Sequence, residues 1–173
     1  MKKFINTDPN TLDNDSRIIL KHSQPTFNHV NKDYFYLLHD DTHLIWATKG
    51  YFPPLNGKPE KWVGSSRIEF PKQGLPWFIK AIEEKFMKTE AEGGLTKEAF
   101  TYSEVIEGEK LITRRSFGYE GYTLANDDRY SYVDLSLGYQ SQQEFCFTDT
   151  MLFDNGLLAK LKVVADKITS GEL

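Results

Sequence analysis

The 173-residue sequence predicts an α+β protein: two ββββα repeats with antiparallel sheets, helices packed on one side, and a pseudo-twofold relation between the halves. Three observations predict it. Two amphipathic helical segments align with each other without a gap. β-rich segments broken by turn residues precede each of them. A polar, glycine-bearing stretch, EAEGGLTK, separates the two runs.

The helices come first because their periodicity is the strongest signal. In GLPWFIKAIEEKF, residues 74–86, the residues Leu75, Phe78, Ile79, Ile82 and Phe86 fall on one helical face. Pro76 sits in the first turn, where a missing N–H costs least. In GLLAKLKVVADKI, residues 156–168, Leu157, Leu161, Val164 and Ile168 form a similar stripe, with Asp154 as the expected N-cap. Leu75 then matches Leu157, Ile79 matches Leu161 and Ile82 matches Val164. Upstream, YLLHDDTHLIWATKGY (36–51) is matched to TLANDDRYSYVDLSLGY (123–139) through Asp40-Asp41 and Asp127-Asp128. Aspartates cap local backbone, so each pair reads as a hairpin turn.

The strands of the first repeat are expected near 16–22, 33–39, 43–52 and 62–70, with a helix over 74–89. Those of the second are expected near 99–107, 110–118, 121–126 with 129–139, and 142–148, with a helix over 154–169. The stretch 109–126 can also be read as one long strand kinked at Gly118 and Gly121. Residues 1–15 read as a flexible arm, 16–89 as the first repeat, 90–97 as the linker and 98–173 as the second repeat. The first repeat is longer by the loop FPPLNGKPEKWVG, whose prolines and Asn-Gly mark a finger. Gly64-Ser65-Ser66 beyond it marks a bulge. Alternation turns Phe35, Leu37, Tyr122 and Leu124 inward, together with Trp46, Val133, Leu135 and Leu137. It leaves Tyr34, Tyr36, Ile45, Lys49, Tyr51, Tyr130 and Tyr132 outward.

Composition narrows the function. A net charge of −4 excludes a histone-like basic protein. No apolar run approaches the ~20 residues of a membrane helix, and no secretory signal opens the chain, so a cytoplasmic protein without a membrane partner is expected. The lone cysteine, Cys146, cannot form an intramolecular disulfide and reads as a buried thiol between Phe145 and Phe147. Charge is distributed unevenly. Residues 16–89 carry 11 Lys and Arg against 7 Asp and Glu, while residues 95–169 carry 8 against 12. The first half is therefore the candidate basic surface.

Aromatic residues sit among those cations. Planar rings can stack on bases while Lys and Arg neutralise phosphates. The candidate binding residues are Lys49, Tyr51, Lys58, Lys61, Trp62 and Arg67 in the first half, and Arg114, Arg115, Tyr130 and Tyr132 in the second. Trp62 is either ligand-facing or a plug on the end of the core. Enzyme signals are weak. His39 and His43 flank a hairpin turn and need not converge, so no metal is expected. DPNTLDND (8–15) lacks the glycine and the terminal glutamate of a calcium loop and reads as a solvated arm. There is no phosphate loop and no nucleophile elbow. No cofactor and no catalytic residue is expected.

The element order, with the segments RIEFPKQGLPWFIKAIEEKF and QEFCFTDTMLFDNGLLAKLKVVADKI each giving a last strand, a turn and a helix, resembles the Whirly, PUR-repeat and positive-cofactor-four-like fold. The lysine-glycine-lysine-alanine motif of plant Whirly proteins is absent. The resemblance implies a non-catalytic protein that binds single-stranded DNA, or RNA. Each sheet has edge strands to cover, so a homo-oligomer, at least a dimer, is expected. A compact viral single-strand DNA-binding protein of this fold fits the size and charge. The alternatives are a protein–protein interaction module using the same sheet or the Trp62 loop, and a β-rich binder of small molecules.

Overall fold

A computed structural model describes residues 2–3, 8–25, 32–132 and 140–173. After a two-residue strand β1 (Lys2–Lys3), strands β2 (Ile18–Pro25), β3 (Lys32–Asp40), β4 (His43–Phe52) and β5 (Lys61–Pro71) form one antiparallel sheet in chain order. Helix α1 (Gly74–Lys80) follows and continues through a π-helical segment, Ala81–Phe86. Strands β6 (Thr101–Ile106), β7 (Glu109–Ser116), β8 (Gly121–Tyr132) and β9 (Gln140–Thr148) form the second sheet, again antiparallel and in chain order, and β1 joins β8 in parallel. Helix α2 (Leu157–Ser170) ends the chain. Both halves are thus ββββα with the same strand order, as the sequence predicts. No described helix is long and apolar enough to cross a membrane.

The two helices meet each other and cover the inner faces of both sheets. Leu75, Ile79 and Ile82 share one buried cluster with Leu157, Leu161 and Val164, so the matched stripes are used equivalently. Aromatic rings knit the sheets together. Trp46 lies 5.0 Å from Phe147 and 5.8 Å from Phe35, and Phe78 lies 5.3 Å from Phe147, centroid to centroid. Burial of each such side chain contributes ~1.5–3 kcal/mol.

Several local expectations are corrected. Asp40-Asp41 does open the β3–β4 turn, with Asp41 at φ 47°. Asp127-Asp128 is not a turn: it lies inside β8, at a register shift between Asn126 and Tyr130. There the two carboxylates accept hydrogen bonds from the Lys110 backbone N–H and ammonium. The counterpart of the β3–β4 turn is Phe117–Glu120, so residues 109–126 are a hairpin and not one bent strand. Gly121 is required there, because a Cβ would sit 2.4 Å from the Phe147 carbonyl oxygen of β9. Trp46 is buried as expected, although Val133, the residue it was matched to, lies outside the described residues, as do Leu135 and Leu137. Helix α2 begins after Gly156 at φ 71°, and Asp154 ends a π-helical turn (Thr150–Asp154) instead of capping it. The bulge near Gly64-Ser65-Ser66 falls at Arg67, which is skipped between the Trp46–Ile68 and Ala47–Ser66 pairs.

The largest departure is at the N-terminus. Residues 8–15 are folded against the outer face of the first sheet. Asp8 receives the backbone N–H of Asn10, a 3-10 turn spans Leu12–Asn14, and Leu12 is only 2% exposed. Leu12 packs with Tyr36, Leu38 and Ala47, which form a second buried cluster on that face. Tyr36 does point outward, but it is covered.

The two sheets are also tied by a buried ion network. Arg129 of β8 is 2% exposed. Its guanidinium bonds Glu109 of β7 at 2.5 and 2.8 Å and Glu69 of β5 at 2.9 Å. The Asn126 amide donates to Glu109 at 2.7 Å and to the Glu69 carbonyl at 3.0 Å. His43 of β4 approaches both Glu109 and Arg129 through Nε2, at 2.9 and 2.8 Å. A neutral ring can donate to the first through that atom or accept from the second, but not both. Burial pulls the Glu109 carboxyl up, yet the hydrogen bonds from Arg129, Asn126 and His43 outweigh it and bring it down to about 2.

A buried charge stripped of its partner is costly, so Arg129→Ala should destabilise the fold by about 3–5 kcal/mol in urea unfolding. Lys110→Ala, which removes a half-exposed pair with Asp127, should cost less than about 1 kcal/mol. The depressed Glu109 value gives a sign as well. Its contribution is complete above the unfolded value of about 4.3 and is lost as pH falls toward 2. Glu109→Gln should therefore flatten the acid limb of the stability curve in that window, and an unchanged limb would show that Glu109 does not set it.

Candidate functional site

The antiparallel hairpin of β4 and β5 places Tyr51 opposite Trp62, and Lys49 opposite Gly64 and Tyr34. Period-two alternation turns Tyr34, Lys49, Tyr51 and Trp62 to the same outer face. The Trp62 ring is 41% exposed and lies 5.1 Å from Tyr51 and 6.0 Å from Tyr34. The Lys49 ammonium sits 4.8 Å above it. Trp62 is therefore a surface ring in an aromatic cluster and not a core plug. The Tyr51 hydroxyl donates to Glu60, and that hydrogen bond raises its pKa. Asp13 accepts from Lys49 at 2.5 Å and from the Tyr36 hydroxyl, which hold its carboxyl below the ordinary range.

The finger expected from FPPLNGKPEKWVG extends this hairpin. Asn56 and Gly57, at φ 50° and 77°, make its turn, and Lys58 closes it through backbone bonds with Leu55. Residues 52–63 are all exposed, with the Lys61 ammonium 5.9 Å over the Phe52 ring. Lys58 and Lys61 thus flank the aromatic cluster without joining it.

Arg67, Arg114 and Arg115 are brought together elsewhere. They line a groove of about 830 Å³ with Tyr119, Glu144 and Cys146. Arg115 stacks 4.7 Å over Tyr122 and is held by Asp149 at 2.6 and 2.7 Å. Among the described residues Arg114 has longer contacts, 3.4 Å to Glu144 and 3.5 Å to Gln142, and so is less tightly held than Arg115. Arg67 donates to the Thr48 hydroxyl at 3.1 Å. Cys146 is half-buried on the groove wall, not enclosed in the core. Tyr130 lies on β8 between Gln142 and Lys3. Tyr132 also lies on β8, and its side chain is outside the described residues.

Sequence reasoning missed three contributors. Tyr34 was read as outward but not counted in the site. Tyr36 and Asp13 belong to it because the N-terminal segment folds back, and a run as polar as DPNTLDND gives little sign of that beyond its single leucine. The histidines diverge: His39 bonds the Asp41 carbonyl at 2.8 Å while His43 enters the ion network. Among the described residues no cluster of three or more His, Cys, Asp or Glu is arranged to hold a metal ion.

No family model and no curated protein matches the chain. Among solved structures, the chain is similar to one titled crystal structures of Trypanosoma bruciei MRP1/MRP2. The TM-score is 0.45 and the identity 11%, over 86% of this chain and 92% of that one.

The geometry makes a direct prediction. Trp46 and Trp77 are buried, so Trp62 should supply the readily quenched part of the tryptophan emission. Trp62→Phe should abolish that part in an acrylamide titration. Retention of it would place Trp62 inside the core.

Proposed function

We propose that the protein binds single-stranded nucleic acid, DNA or RNA, without catalysing a reaction. The observation that carries the reading is the outer-face cluster: an exposed Trp62 with Lys49 above its ring and Tyr34 and Tyr51 beside it. Exposed rings are open to base stacking, which contributes ~1–3 kcal/mol per base and tolerates any sequence. Lys58 and Lys61 on the finger, and Arg114 and Arg67 in the groove, are the candidates for phosphate contacts. The two halves are read as pseudo-twofold equivalents. The assembly is read as a homo-oligomer, because β2 and β6 each pair on one side only among the described strands. Light scattering that finds only a 20.0 kDa species would remove the oligomer from this reading.

A protein partner is the second reading. It is favoured by Phe100 and Phe117, both exposed and edge-on at 5.0 Å.

The test is a titration with single- and double-stranded oligonucleotides at two salt concentrations. Trp62→Ala should weaken single-strand binding by ~1–3 kcal/mol with little change in salt slope. Lys58→Glu with Lys61→Glu should weaken it for all sequences and flatten the slope. Arg114→Glu should act in the same direction, and more strongly than Arg115→Glu if the less tightly held arginine is the one in contact. Salt-insensitive binding to a protein, with no oligonucleotide shift, would favour the second reading.

A further inference from the structure

Asp13 occupies a site that the first sheet builds from three neighbouring strands. Lys21 of β2 lies opposite Tyr36 of β3, and Lys49 of β4 lies opposite Tyr34, two residues along β3 on the same face. The Tyr36 hydroxyl and the Lys49 ammonium both donate to the Asp13 carboxylate, and Lys21 donates to the Asp13 backbone carbonyl at 2.8 Å. Two cations and a phenol converging on one anionic residue are a donor set that suits a phosphate equally well.

Access favours the same view. The Lys49 side chain is only 12% exposed whereas Asp13 is 47% exposed, so the carboxylate is the solvent-accessible member of the pair. Lys49 also lies over the exposed Trp62 ring, which puts this anion position beside the stacking position. The neighbouring Leu12 is buried on Tyr36, Leu38 and Ala47, so the segment stays anchored even if the Asp13 side chain swings away.

We propose that Lys49, Tyr36 and Lys21 form a phosphate subsite of the outer face, and that Asp13 fills it in cis as an internal competitor. The inference rests on the nucleic-acid reading for its ligand, a backbone phosphate next to the base stacked on Trp62. A tethered competitor acts at high effective concentration and holds the affinity of the face below its intrinsic value.

Asp13→Asn tests this, because it removes the charge and keeps the shape. Binding of an oligothymidylate of about 12 nucleotides is measured by anisotropy at about 50 and about 200 mM salt. Asp13→Asn should bind about tenfold tighter at the lower salt, the size of one charge-assisted hydrogen bond. Its salt slope should steepen by about 0.7, the value of one added phosphate contact on a single strand. Lys49→Gln in the Asp13→Asn background should cancel the gain. Thermal unfolding of each variant confirms that the fold is retained, and Asp13→Ser serves if the asparagine variant does not fold. If the wild type binds and Asp13→Asn binds equally or more weakly, Asp13 is a structural clamp and the inference is overturned while the nucleic-acid reading stands. Inorganic pyrophosphate, followed by Trp62 emission, separates the two ideas further. If no variant binds oligonucleotide but Asp13→Asn binds pyrophosphate in a Lys49-dependent way, the subsite stands and the nucleic-acid reading fails. Binding of neither probe overturns both.

Discussion

Arg129 carries a full positive charge into a place where 2% of its surface meets solvent, and groups from both sheets have to converge on it. Glu69 comes from β5, His43 from the start of β4, Glu109 from the start of β7 and Asn126 from β8 itself. Desolvating a guanidinium is tolerable only if its partners are held in place. The network therefore fixes where the β4–β5 hairpin leaves the second sheet. Its other end carries Tyr51, Trp62 and the finger. The same anchoring leaves the outer face of the first sheet turned away from the helices.

The division of aromatic types follows from that placement. The inner face takes rings without hydroxyls for the most part: Phe35, Trp46, Phe78, Phe145 and Phe147 form a chain of neighbours, each within about 6 Å of the next. The outer face takes tyrosines and Trp62, and its hydroxyls find carboxylates, Tyr36 with Asp13 and Tyr51 with Glu60. The outer face thus carries aromatic rings and two lysines, Lys21 and Lys49, that already meet Asp13 of the same chain.

The helices were legible because a 3.6-residue stripe leaves its residues where any packing must use them, and Ile79, Ile82, Leu161 and Val164 are used alike. The strand order was legible from turn residues, but the internal match of strands was not. An aspartate pair serves a turn at Asp40-Asp41 and a bulge inside a strand at Asp127-Asp128, and sequence spacing does not separate the two. Trp62, Tyr51 and Lys49 were legible as neighbours because they lie on two strands joined by one Asn-Gly hairpin. Arg67, Arg114 and Arg115 meet only through the packing of one sheet on the other, which no local pattern encodes. The Asp13 contacts were hidden because the N-terminal segment folds back onto the first sheet, which its polar run does not announce.

The central claim is that the outer face of the first sheet is where a nucleic-acid strand lies. Photocrosslinking of a single-stranded oligonucleotide, followed by mapping of the modified peptide, addresses it most directly. The account predicts adducts on the β4–β5 hairpin, at Trp62 or Tyr51, lost when Trp62 is replaced by alanine. Adducts confined to α1, α2 or the Phe100–Phe117 surface, with the hairpin unmodified, would contradict it.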